Sequence, residues 1–395
     1  MNAVAARIDI PPSEFATRRD KAIERACAEG LDGLVVCGRG GGALDRYADL
    51  MYLTNHYSPF PFIPDLKDNW SGRAHSFLLL PCTGEPMLIV DVPYFEQIAM
   101  PADQIRMTDL VIESVCDALR TTGLANGRIG LVGEDIVPVS MYRAFESAAP
   151  NAKWIAADHI LAAARAVKSP AEIARLRAAS QLGSRMIETM MAAATPGATH
   201  GDVVAAGSQV LVPAGGVLYN SFMASGTGGA HPTVVRSSFP TWASATPLAD
   251  GQWLRLGISG VLEGYYFDVS RSRSIGPATK EQIGAFEAAI AAVEAGIGAL
   301  RPGATAGEVA SAGLRKQESL GYPMKGVFSG LGHGIGLGWD SPWLVPQETM
   351  KLVPGMVLNF ERTLTKDGYL GDFEETVLLT DKGVERLTDA EVRLW

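Results

Sequence analysis

Charged side chains are scarce in this sequence of 395 residues, since Asp, Glu, Lys and Arg make up 19% of it, against about 25% in an ordinary soluble domain. Acidic residues outnumber basic ones by 43 to 34, and the net charge of −9 argues against a nucleic-acid partner. The apolar fraction of 47% excludes a disordered chain. The scarcity of charge predicts that much surface is buried, in large cores or against another subunit.

Cysteines and long apolar runs are also few. The four cysteines, Cys27, Cys37, Cys82 and Cys116, lie without CxxC spacing, so neither a zinc clip nor a thioredoxin-type motif is indicated. Scattered cysteines suit a reducing cytosol. The N-terminus lacks the apolar stretch of a secretory signal, and no run reaches the ~18 apolar residues of a membrane span. We therefore expect a cytoplasmic protein with no membrane partner.

Predicted helices and strands alternate over the first 160 residues. The pattern predicts a helix over 13–29, capped by Ser13 and ended by Gly30, and then a buried strand over 31–38. Further strands are predicted over 75–80, 86–91 and 128–133. This alternation is typical of a small α/β domain.

A glycine-rich stretch follows the first predicted strand. Gly38, Gly40 and Ala43 stand at the positions of a GxGxxA dinucleotide fingerprint. That fingerprint requires an acidic strand end about 20 residues further on, and no such strand is predicted here. The stretch is therefore interpreted as a turn between a strand and a helix.

The second domain begins with a capping box and contains an internal repeat. Ser169 and Glu172 flank a proline at the first helical position, and we place the boundary just before them, giving domains 1–164 and 165–395. PGATHGDV recurs as PGATAGEV 106 residues later, and each copy offers a Thr-x-x-acid helix start. Chance recurrence is the alternative. Duplication predicts a pseudo-twofold domain with a site between its halves.

Three acidic residues interrupt predicted strands of this domain, namely Asp268, Glu361 and Glu374. Burying an unpaired carboxylate is costly, and singly each is interpreted as a salt-bridged or solvent-facing acid. Together with His333, in the segment GLGHGIGLG, they form a set of one imidazole and three carboxylates. Such a set suits Mn, Fe, Co or Zn, and a bound metal would activate water and polarise a carbonyl.

The ordered segments resemble the creatinase / aminopeptidase P / methionine aminopeptidase family over nearly the whole chain. LDGLVV and YLTN resemble its N-terminal domain, and KSPAEIARLR resembles the entry to its catalytic domain. ASGTGGAH, HGIGL, the Glu361 strand and EETVLLTDKG follow in family order. The resemblance implies an α+β protein with a small creatinase-type α/β N-terminal domain and a pseudo-twofold pita-bread catalytic domain.

The resemblance also implies a metal site with one ligand fewer than the family's two-metal form. Asp268 matches the bridging aspartate, His333 the histidine, and Glu361 and Glu374 the two glutamates. The other aspartate would stand eleven residues before Asp268, where this chain has Gly257. The implied site therefore holds one divalent metal (Mn, Fe, Co or Zn), or it works without metal.

Two departures concern the substrate. Peptidase members carry a second histidine seven residues after the first, where this chain has Asp340, and this disfavours a true Xaa-Pro peptidase. The segment around His231 resembles the catalytic-histidine segment of creatinase, which implies a proton shuttle or substrate binder. His231 and Glu361 are thus the catalytic candidates. The candidate substrate contacts are His56, Phe222, Trp339 and Asp340.

His56 has two interpretations. It lies in a stretch rich in Tyr, Phe and Trp, which is typical of a pocket lid, and N-domain loops in this family can reach a neighbouring subunit's site. The alternative is a loop anchored by aromatic packing. His75, His159 and His200 have no cluster around them and are interpreted as structural or surface residues.

The resemblance implies a hydrolase of a C–N bond in a small amide, guanidino or peptide-like substrate, with one metal-activated water. A metal-free creatinase-like hydrolase, with His231 as acid and base, and a lyase of the same fold are the alternatives. Four retained ligand positions disfavour a non-catalytic binding protein. Because the family's N-domain packs across to the partner subunit, we expect a homodimer acting on a small molecule or short peptide.

Overall fold

The computed structural model describes residues 9–41, 44–61, 63–92, 98–228, 235–237, 245–322 and 329–393. Within it, the chain divides into two compact units, Asp9–Arg165 and Ala166–Trp395. The architecture is the mixed α+β fold that the sequence predicts, with a small N-terminal α/β unit and a larger duplicated unit.

The N-terminal unit is built on one mixed sheet with the strand order β4-β3-β2-β1-β5-β6. Its elements in chain order are α1 (Pro12–Ala28), β1 (Gly33–Arg39), α2 (Ala48–Thr54), β2 (His75–Pro81), β3 (Met87–Val90), β4 (Ile105–Met107), α3 (Val111–Thr121), β5 (Arg128–Val132), α4 (Val139–Ala148), β6 (Lys153–Ala156) and α5 (Asp158–Ala166). β2 pairs antiparallel with β1 and β3, whereas β5 runs parallel to β1 and β6. Val35, Phe77 and Ile129 are fully buried at the centre.

One expectation about the first helix is corrected. Pro11 is the N-cap residue and Pro12 opens α1, without a side-chain cap, so the prediction that Ser13 caps it is wrong. A proline at the first helical position has no N–H to satisfy, and its fixed φ already suits the helix. Cys27 forms a disulfide with Cys82, 55 residues away. Cysteine spacing does not predict this bridge, and such bridges are rare in a reducing cytosol.

The C-terminal unit holds a four-stranded sheet, β10-β9-β7-β8, and a five-stranded sheet, β12-β11-β13-β14-β15. Its elements are α6 (Pro170–Ala193), α7 (His200–Leu211), β7 (Val217–Gly226), β8 (Val235–Ser237), β9 (Trp253–Leu262), β10 (Tyr265–Ser274), α8 (Lys280–Ala299), α9 (Ala306–Ser319), β11 (Gly332–Ile335), β12 (Trp339–Trp343), β13 (Val357–Lys366), β14 (Tyr369–Thr380) and β15 (Gly383–Arg386). The predicted capping box of Ser169 and Glu172 is present at the start of α6.

The repeat noticed in the sequence is a structural duplication. Thr199 caps α7 and Thr305 caps α9, each in a complete capping box. The backbone contacts that follow also correspond, because Gly197 N donates to Leu248 O and Gly303 N to Leu352 O, both at 2.8 Å. Each half thus contains a long helix, a glycine turn, a capped helix and an antiparallel sheet.

Side-chain hydrogen bonds join the halves between β10 on one side and β13 and β14 on the other. The Asn359 amide donates to Asp268 O at 2.8 Å. Arg271, which is buried, donates to Glu375 Oε1 at 2.6 Å and to Glu374 O at 2.7 Å. These bonds position the two sheets relative to one another, since a buried charge needs nearly all of its partners in place.

The helix pairs of the two halves approach closely at equivalent glycines. A Cβ added to Gly207 would lie 2.5 Å from Met190 Cγ, and one added to Gly313 would lie 2.7 Å from Ala292 O. Gly313 lies 106 residues after Gly207, the same offset as the repeat. The described part of the chain contains no helix with the length and apolar character of a membrane span.

The close approach of α8 and α9 predicts opposite effects for two glycine-to-alanine changes. Gly313→Ala should lower the free energy of unfolding by about 1–3 kcal/mol, because its Cβ overpacks against a backbone oxygen. Gly284→Ala should raise it by about 0.5–1 kcal/mol, because Gly284 is exposed in α8 with open space around it. Urea unfolding followed by circular dichroism measures both. Equal effects would contradict the close approach.

Candidate active site

Seven strands of the C-terminal unit contribute to one cavity of about 420 Å³. Its lining is partly aromatic and partly acidic. The lining residues are Phe222, Met223, Ala224, Arg255, Gly257, Asp268, His333, Trp339, Trp343, Glu361 and Glu374. Both halves contribute, since β7, β9 and β10 belong to the first half and β11 to β14 to the second.

Strand pairing places the carboxylates together. Glu361 on β13 and Glu374 on β14 are directly opposite partners, and like charges in that position destabilise a sheet. Asp268, on β10, lies close enough to form a side-chain hydrogen bond with Glu374. Three acidic groups therefore share one end of the cavity.

His333 faces these acids in a defined orientation. Its Nδ1 lies 2.8 Å from Gly334 O, so this nitrogen donates and Nε2 is the ring nitrogen that faces the acids. Nε2 lies 3.7 Å from both Asp268 Oδ2 and Glu361 Oε1, which is beyond hydrogen-bond distance. A backbone carbonyl that fixes the tautomer in this way is typical of metal-binding histidines.

The backbone beside the histidine requires glycine. Gly332 has φ +140°, and a Cβ there would overlap the carbonyl oxygen of Asn359. The pairing of β11 with β12 also shifts register between His333 and Gly334. Such a bulge re-aims a side chain next to a functional site, and here it accompanies the orientation of His333 toward the acids.

Burial and neighbouring negative charges raise the pKa values of two of the carboxyl groups. Burial, and then the charge of Glu361, raises the pKa of Asp268 to about 8, although the Trp339 N–H, 2.9 Å from Asp268 Oδ2, favours the ionised form. Burial raises the pKa of Glu374 well above its ordinary value, and Asp268 and Glu361 add to the shift. Glu374 Oε2 has no hydrogen-bond partner among the described residues. The cluster therefore has the electrostatics of a cation site.

The donor set fits one divalent metal ion. One imidazole nitrogen and three carboxylates match the preference of Mn, Fe, Co and Zn, and the orphaned oxygen of Glu374 is an available ligand atom. Among the described residues, no group of three or more His, Cys, Asp or Glu side chains is arranged to hold a metal ion as it stands. The four side chains are therefore proposed as ligands on their chemistry and their place around one cavity.

Gly257 lies on the cavity wall, where it pairs with Phe222 and Ser270 across the sheet. A Cβ added there would have its nearest neighbours, Ser270 Cβ and Phe222 Cβ, at 3.5 and 3.6 Å, which is ordinary contact. The glycine is therefore not required by close packing. Its effect is to remove a side chain from the cavity.

Comparisons with known proteins agree with this architecture. The family model described as "Metallopeptidase family M24" matches residues 174–381, and "Creatinase/Prolidase N-terminal domain" matches residues 18–167. The chain belongs to metallopeptidase family M24. It is a hydrolase of that family, as the sequence predicts, and hydrolysis of a C–N bond fits its relatives. Metallopeptidases of this family use divalent metal ions.

Individual relatives match the M24 chain over nearly its whole length. The ectoine hydrolase of Halomonas elongata is 22% identical, with 95% of each chain covered. Dipeptidase PepE from Mycobacterium ulcerans has a TM-score of 0.77 and 24% identity, with 98% of each chain covered. The prolidase from Pyrococcus horikoshii OT3 also has a TM-score of 0.77, at 20% identity, with 96% of this chain and 100% of that one covered.

The structure brings most of the predicted site residues together. Asp268, His333, Glu361 and Glu374 form the cluster, while Phe222 and Trp339 line the same cavity. Both aromatic side chains are about 40% exposed, at 38% and 40%, so a substrate can reach them. Their roles as ligands and substrate contacts stay predictions.

Three predicted residues are not part of this lining. Asp340 is buried and lies 3.4 Å from the Nζ of Lys168, which is also buried, so its carboxylate neutralises a lysine. His56, in the N-terminal unit, is 2% exposed, and its ring meets Tyr47 edge-on. Burial lowers the pKa of His56 to about 4. His231 lies outside the described residues, so its predicted role is untested.

Sequence reasoning missed Arg255 and Trp343, which also line the cavity. Arg255 stands two residues before Gly257 on β9 and therefore on the same face of the strand. Its Nε donates to Asp372 Oδ2 at 2.5 Å. The alternation of side chains along β9, which places Arg255 on the same face as Gly257, could have predicted this position. However, an arginine in a strand is usually interpreted as a solvated side chain.

Neighbouring glutamates on β14 predict stability changes of opposite sign. Glu374→Gln should raise the free energy of unfolding of the metal-free protein at mildly alkaline pH, because burial and the neighbouring acids Asp268 and Glu361 disfavour the charged form of Glu374. A carboxyl whose folded pKa is raised destabilises the protein as pH rises above its unfolded value near 4.3. The gain in the free energy of unfolding from Glu374→Gln should therefore disappear at acidic pH.

Glu375→Gln is the matched control, because Glu375 is buried against Arg271. It should lower the free energy of unfolding by about 3–5 kcal/mol, since it leaves the arginine without its carboxylate. Urea unfolding in the presence of a chelator, at two pH values, measures both variants. A loss of stability in Glu374→Gln at alkaline pH would contradict the crowding of like charge.

Proposed function

We propose that this M24 protein hydrolyses a C–N bond in a small amide, guanidino or peptide-like substrate with one divalent metal ion, Mn, Fe, Co or Zn. Asp268, His333, Glu361 and Glu374 would hold the ion. The observation that carries the proposal is the convergence of three carboxylates and a tautomer-fixed imidazole nitrogen on one end of the cavity. The lining guanidinium, Arg255, is paired with Asp372.

A divalent ion, when bound, makes a nucleophile from water at neutral pH and polarises a carbonyl oxygen. The protein's own groups orient the rest. The Trp339 N–H holds one oxygen of Asp268, and the carbonyl of Gly334 holds His333. Glu361 is the least buried of the three acids, with 26% of its side chain exposed, and is proposed as the proton acceptor.

The proposed substrate is small. A cavity of about 420 Å³ is at the lower end of the range for small-molecule sites. The relatives are named for ectoine hydrolysis, dipeptide hydrolysis and prolidase activity, and each name fits a compact substrate. The place of Asp340 against Lys168 supports a substrate other than an Xaa-Pro peptide.

A metal-free mechanism is the second candidate. The observation that favours it is the hydrogen bond from Trp339 Nε1 to Asp268 Oδ2, which already occupies an oxygen that a metal would use, together with the glycine at position 257. In that mechanism His231 would act as acid and base, and the carboxylates would bind a cationic part of the substrate.

Metal content discriminates the two mechanisms. We expect about one equivalent of divalent metal per chain in purified active protein, loss of hydrolysis on chelation and recovery when the metal is returned. Elemental analysis and an activity assay on the same sample measure this. Activity without stoichiometric metal, unaffected by chelator, would contradict the proposal and support the metal-free mechanism.

Two histidine variants provide the control. His333→Ala should lose both metal and activity, because Nε2 is the only nitrogen ligand in the proposed set. His159→Ala should retain both, because this exposed histidine pairs with Glu29 in the N-terminal unit. Equal metal content in the two variants would exclude His333 as a ligand.

A homodimer and a cytoplasmic location complete the proposal. The low charged fraction of 19% and the exposed Val212 and Val217, at 66% and 64%, support a subunit contact. The disulfide between Cys27 and Cys82 is the observation against the cytoplasm.

Light scattering coupled to size-exclusion chromatography tests the dimer. We expect a mass near twice the 41.9 kDa of one chain, independent of dilution over the micromolar range that stable dimers withstand. A single species at the mass of one chain would contradict the dimer.

A further inference from the structure

The hairpin of β11 and β12 carries three of the side chains that line the cavity, namely His333, Trp339 and Trp343. β12 lies at the edge of the five-stranded sheet. Its pairing with β11 is irregular, because the register shifts between His333 and Gly334. A short edge strand is paired along one side only, so the position of β12 depends strongly on other contacts.

A buried ion pair connects β12 to the segment that precedes α6. Lys168 Nζ lies 3.4 Å from Asp340 Oδ2, and the two side chains are 1% and 4% exposed. The backbone of Lys168 is itself fixed, since its N–H donates to Gly355 O at 2.9 Å. The preceding residue, Val167, forms an antiparallel bridge with Met356. Lys168 therefore fastens the edge strand to the chain that leads into β13.

The turn of the hairpin is built around this ion pair. A Cβ added to Gly336 would overlap Asp340 Oδ2 and lie 3.2 Å from Lys168 Cε. The carbonyl oxygen of Gly336 accepts a hydrogen bond from the N–H of Tyr266 at 2.8 Å. Tyr266 lies on β10, two residues before Asp268. The turn is thus held between the ion pair and the strand that carries one acid of the cluster.

The direction of Asp340 fixes the direction of its neighbour in the sequence. Successive side chains of a strand point to opposite faces, so Trp339 points into the cavity while Asp340 points into the ion pair. The indole N–H of Trp339 donates to Asp268 Oδ2 at 2.9 Å. The ring centres of Trp339 and Trp343 lie 5.6 and 5.5 Å from that of His333. A displacement of β12 would therefore move both indole rings and break the hydrogen bond to Asp268.

Stability alone does not account for this ion pair. A buried ion pair has a desolvation cost that apolar residues of the same shape avoid, and its replacement by such residues is often neutral or stabilising. What the pair adds over apolar packing is direction, because a buried ammonium and carboxylate in contact allow few relative positions of their two segments. The pair is therefore suited to fixing the position of β12.

We propose that Lys168 and Asp340 are positioning residues, which set the place of β12 and so hold the Trp339 N–H on Asp268. Neither residue is among those that line the cavity. The inference rests on the proposed function in one respect, because it takes the acidic cluster as the reaction site. Asp340, which the sequence predicts as a substrate contact, thereby acts on the site through its neighbour Trp339.

The test follows the indole N–H of Trp339 directly. Protein labelled with ¹⁵N-tryptophan gives one indole signal in an NMR spectrum for each of its seven tryptophans, and Trp339→Phe identifies the signal of Trp339. A hydrogen bond to a carboxylate shifts the indole proton downfield and slows its exchange with water. Spectra are recorded on chelator-treated protein, so the result depends neither on metal nor on turnover.

The variants separate the position of β12 from the stability of the fold. Lys168→Met/Asp340→Leu removes both charges and nearly keeps the shape of the two side chains. The matched control is Arg177→Gln/Glu385→Gln, because Arg177 on α6 pairs at 2.8 Å with Glu385 on β15, at the opposite edge of the same sheet. Gly336→Ala is a second test variant, since its Cβ displaces the ion pair without removing a charge.

The proposal expects the Trp339 indole proton to move upfield in both test variants, and to exchange with water about tenfold faster or more, as expected on loss of a hydrogen bond to a charged group. The control should keep the wild-type signal. A wild-type Trp339 signal in folded Lys168→Met/Asp340→Leu would overturn the proposal. If that variant does not fold, a wild-type signal in Gly336→Ala would overturn it.

Mn²⁺ binding, measured by titration calorimetry, distinguishes failure of this inference from failure of the proposed function. Affinity for Mn²⁺ should fall about tenfold or more in Lys168→Met/Asp340→Leu, because hydrogen-bond partners of a ligating carboxylate contribute that much to metal binding. A wild-type protein that binds no Mn²⁺ would contradict the proposed metal site and leave the indole result unaffected.

Discussion

The crowding of three carboxylates around His333 is the constraint on which the C-terminal unit depends. Glu361 and Glu374 face each other across β13 and β14, Asp268 joins them from β10, and burial leaves little water to weaken their repulsion. A fold that served stability alone would place apolar residues there. The arrangement is held by strongly bonded neighbours, and it trades stability for function in the way that active sites commonly do.

The surrounding structure keeps this arrangement in place. Asn359 and Thr376 both donate to the carbonyl of Asp268, and Ser272 exchanges hydrogen bonds with the backbone of Asp372. These contacts use backbone groups of β10 and β14, so they fix the acid-bearing strands without competing for the carboxylates. Two ion pairs whose acids both lie on β14 flank the site, namely the buried pair of Arg271 with Glu375 and the half-buried pair of Arg255 with Asp372.

Local patterns predicted much of this structure from the sequence. The capping boxes at Ser169, Thr199 and Thr305 form as predicted because a cap involves residues three positions apart. Strand faces are equally local, since side chains alternate with a period of two. This periodicity and the family resemblance together place Asp268, Glu361 and Glu374 on strands and group them with His333.

The features that escaped prediction depend on distant partners. Cys27 bonds Cys82 across 55 residues, and Asp340 pairs with Lys168, 172 positions away. Neither contact can be predicted from the spacing of residues in the sequence. Arg255 was missed because its position in the cavity lining depends on its ion pair with the distant residue Asp372 and on the lack of a side chain at Gly257. The Ser13 cap failed for a local reason, since the preceding prolines already set the start of α1.

The duplication has a consequence for how this site can exist at all. Asp268 belongs to the first half, whereas His333, Glu361 and Glu374 belong to the second, so neither half holds all four proposed ligands. The two halves resemble the subunits of an obligate dimer fused into one chain, with the proposed site in their seam. A chain cut between the halves would recover its chemistry only on reassociation, so the activity of the rejoined fragments would report directly on the free energy of the β10–β14 seam.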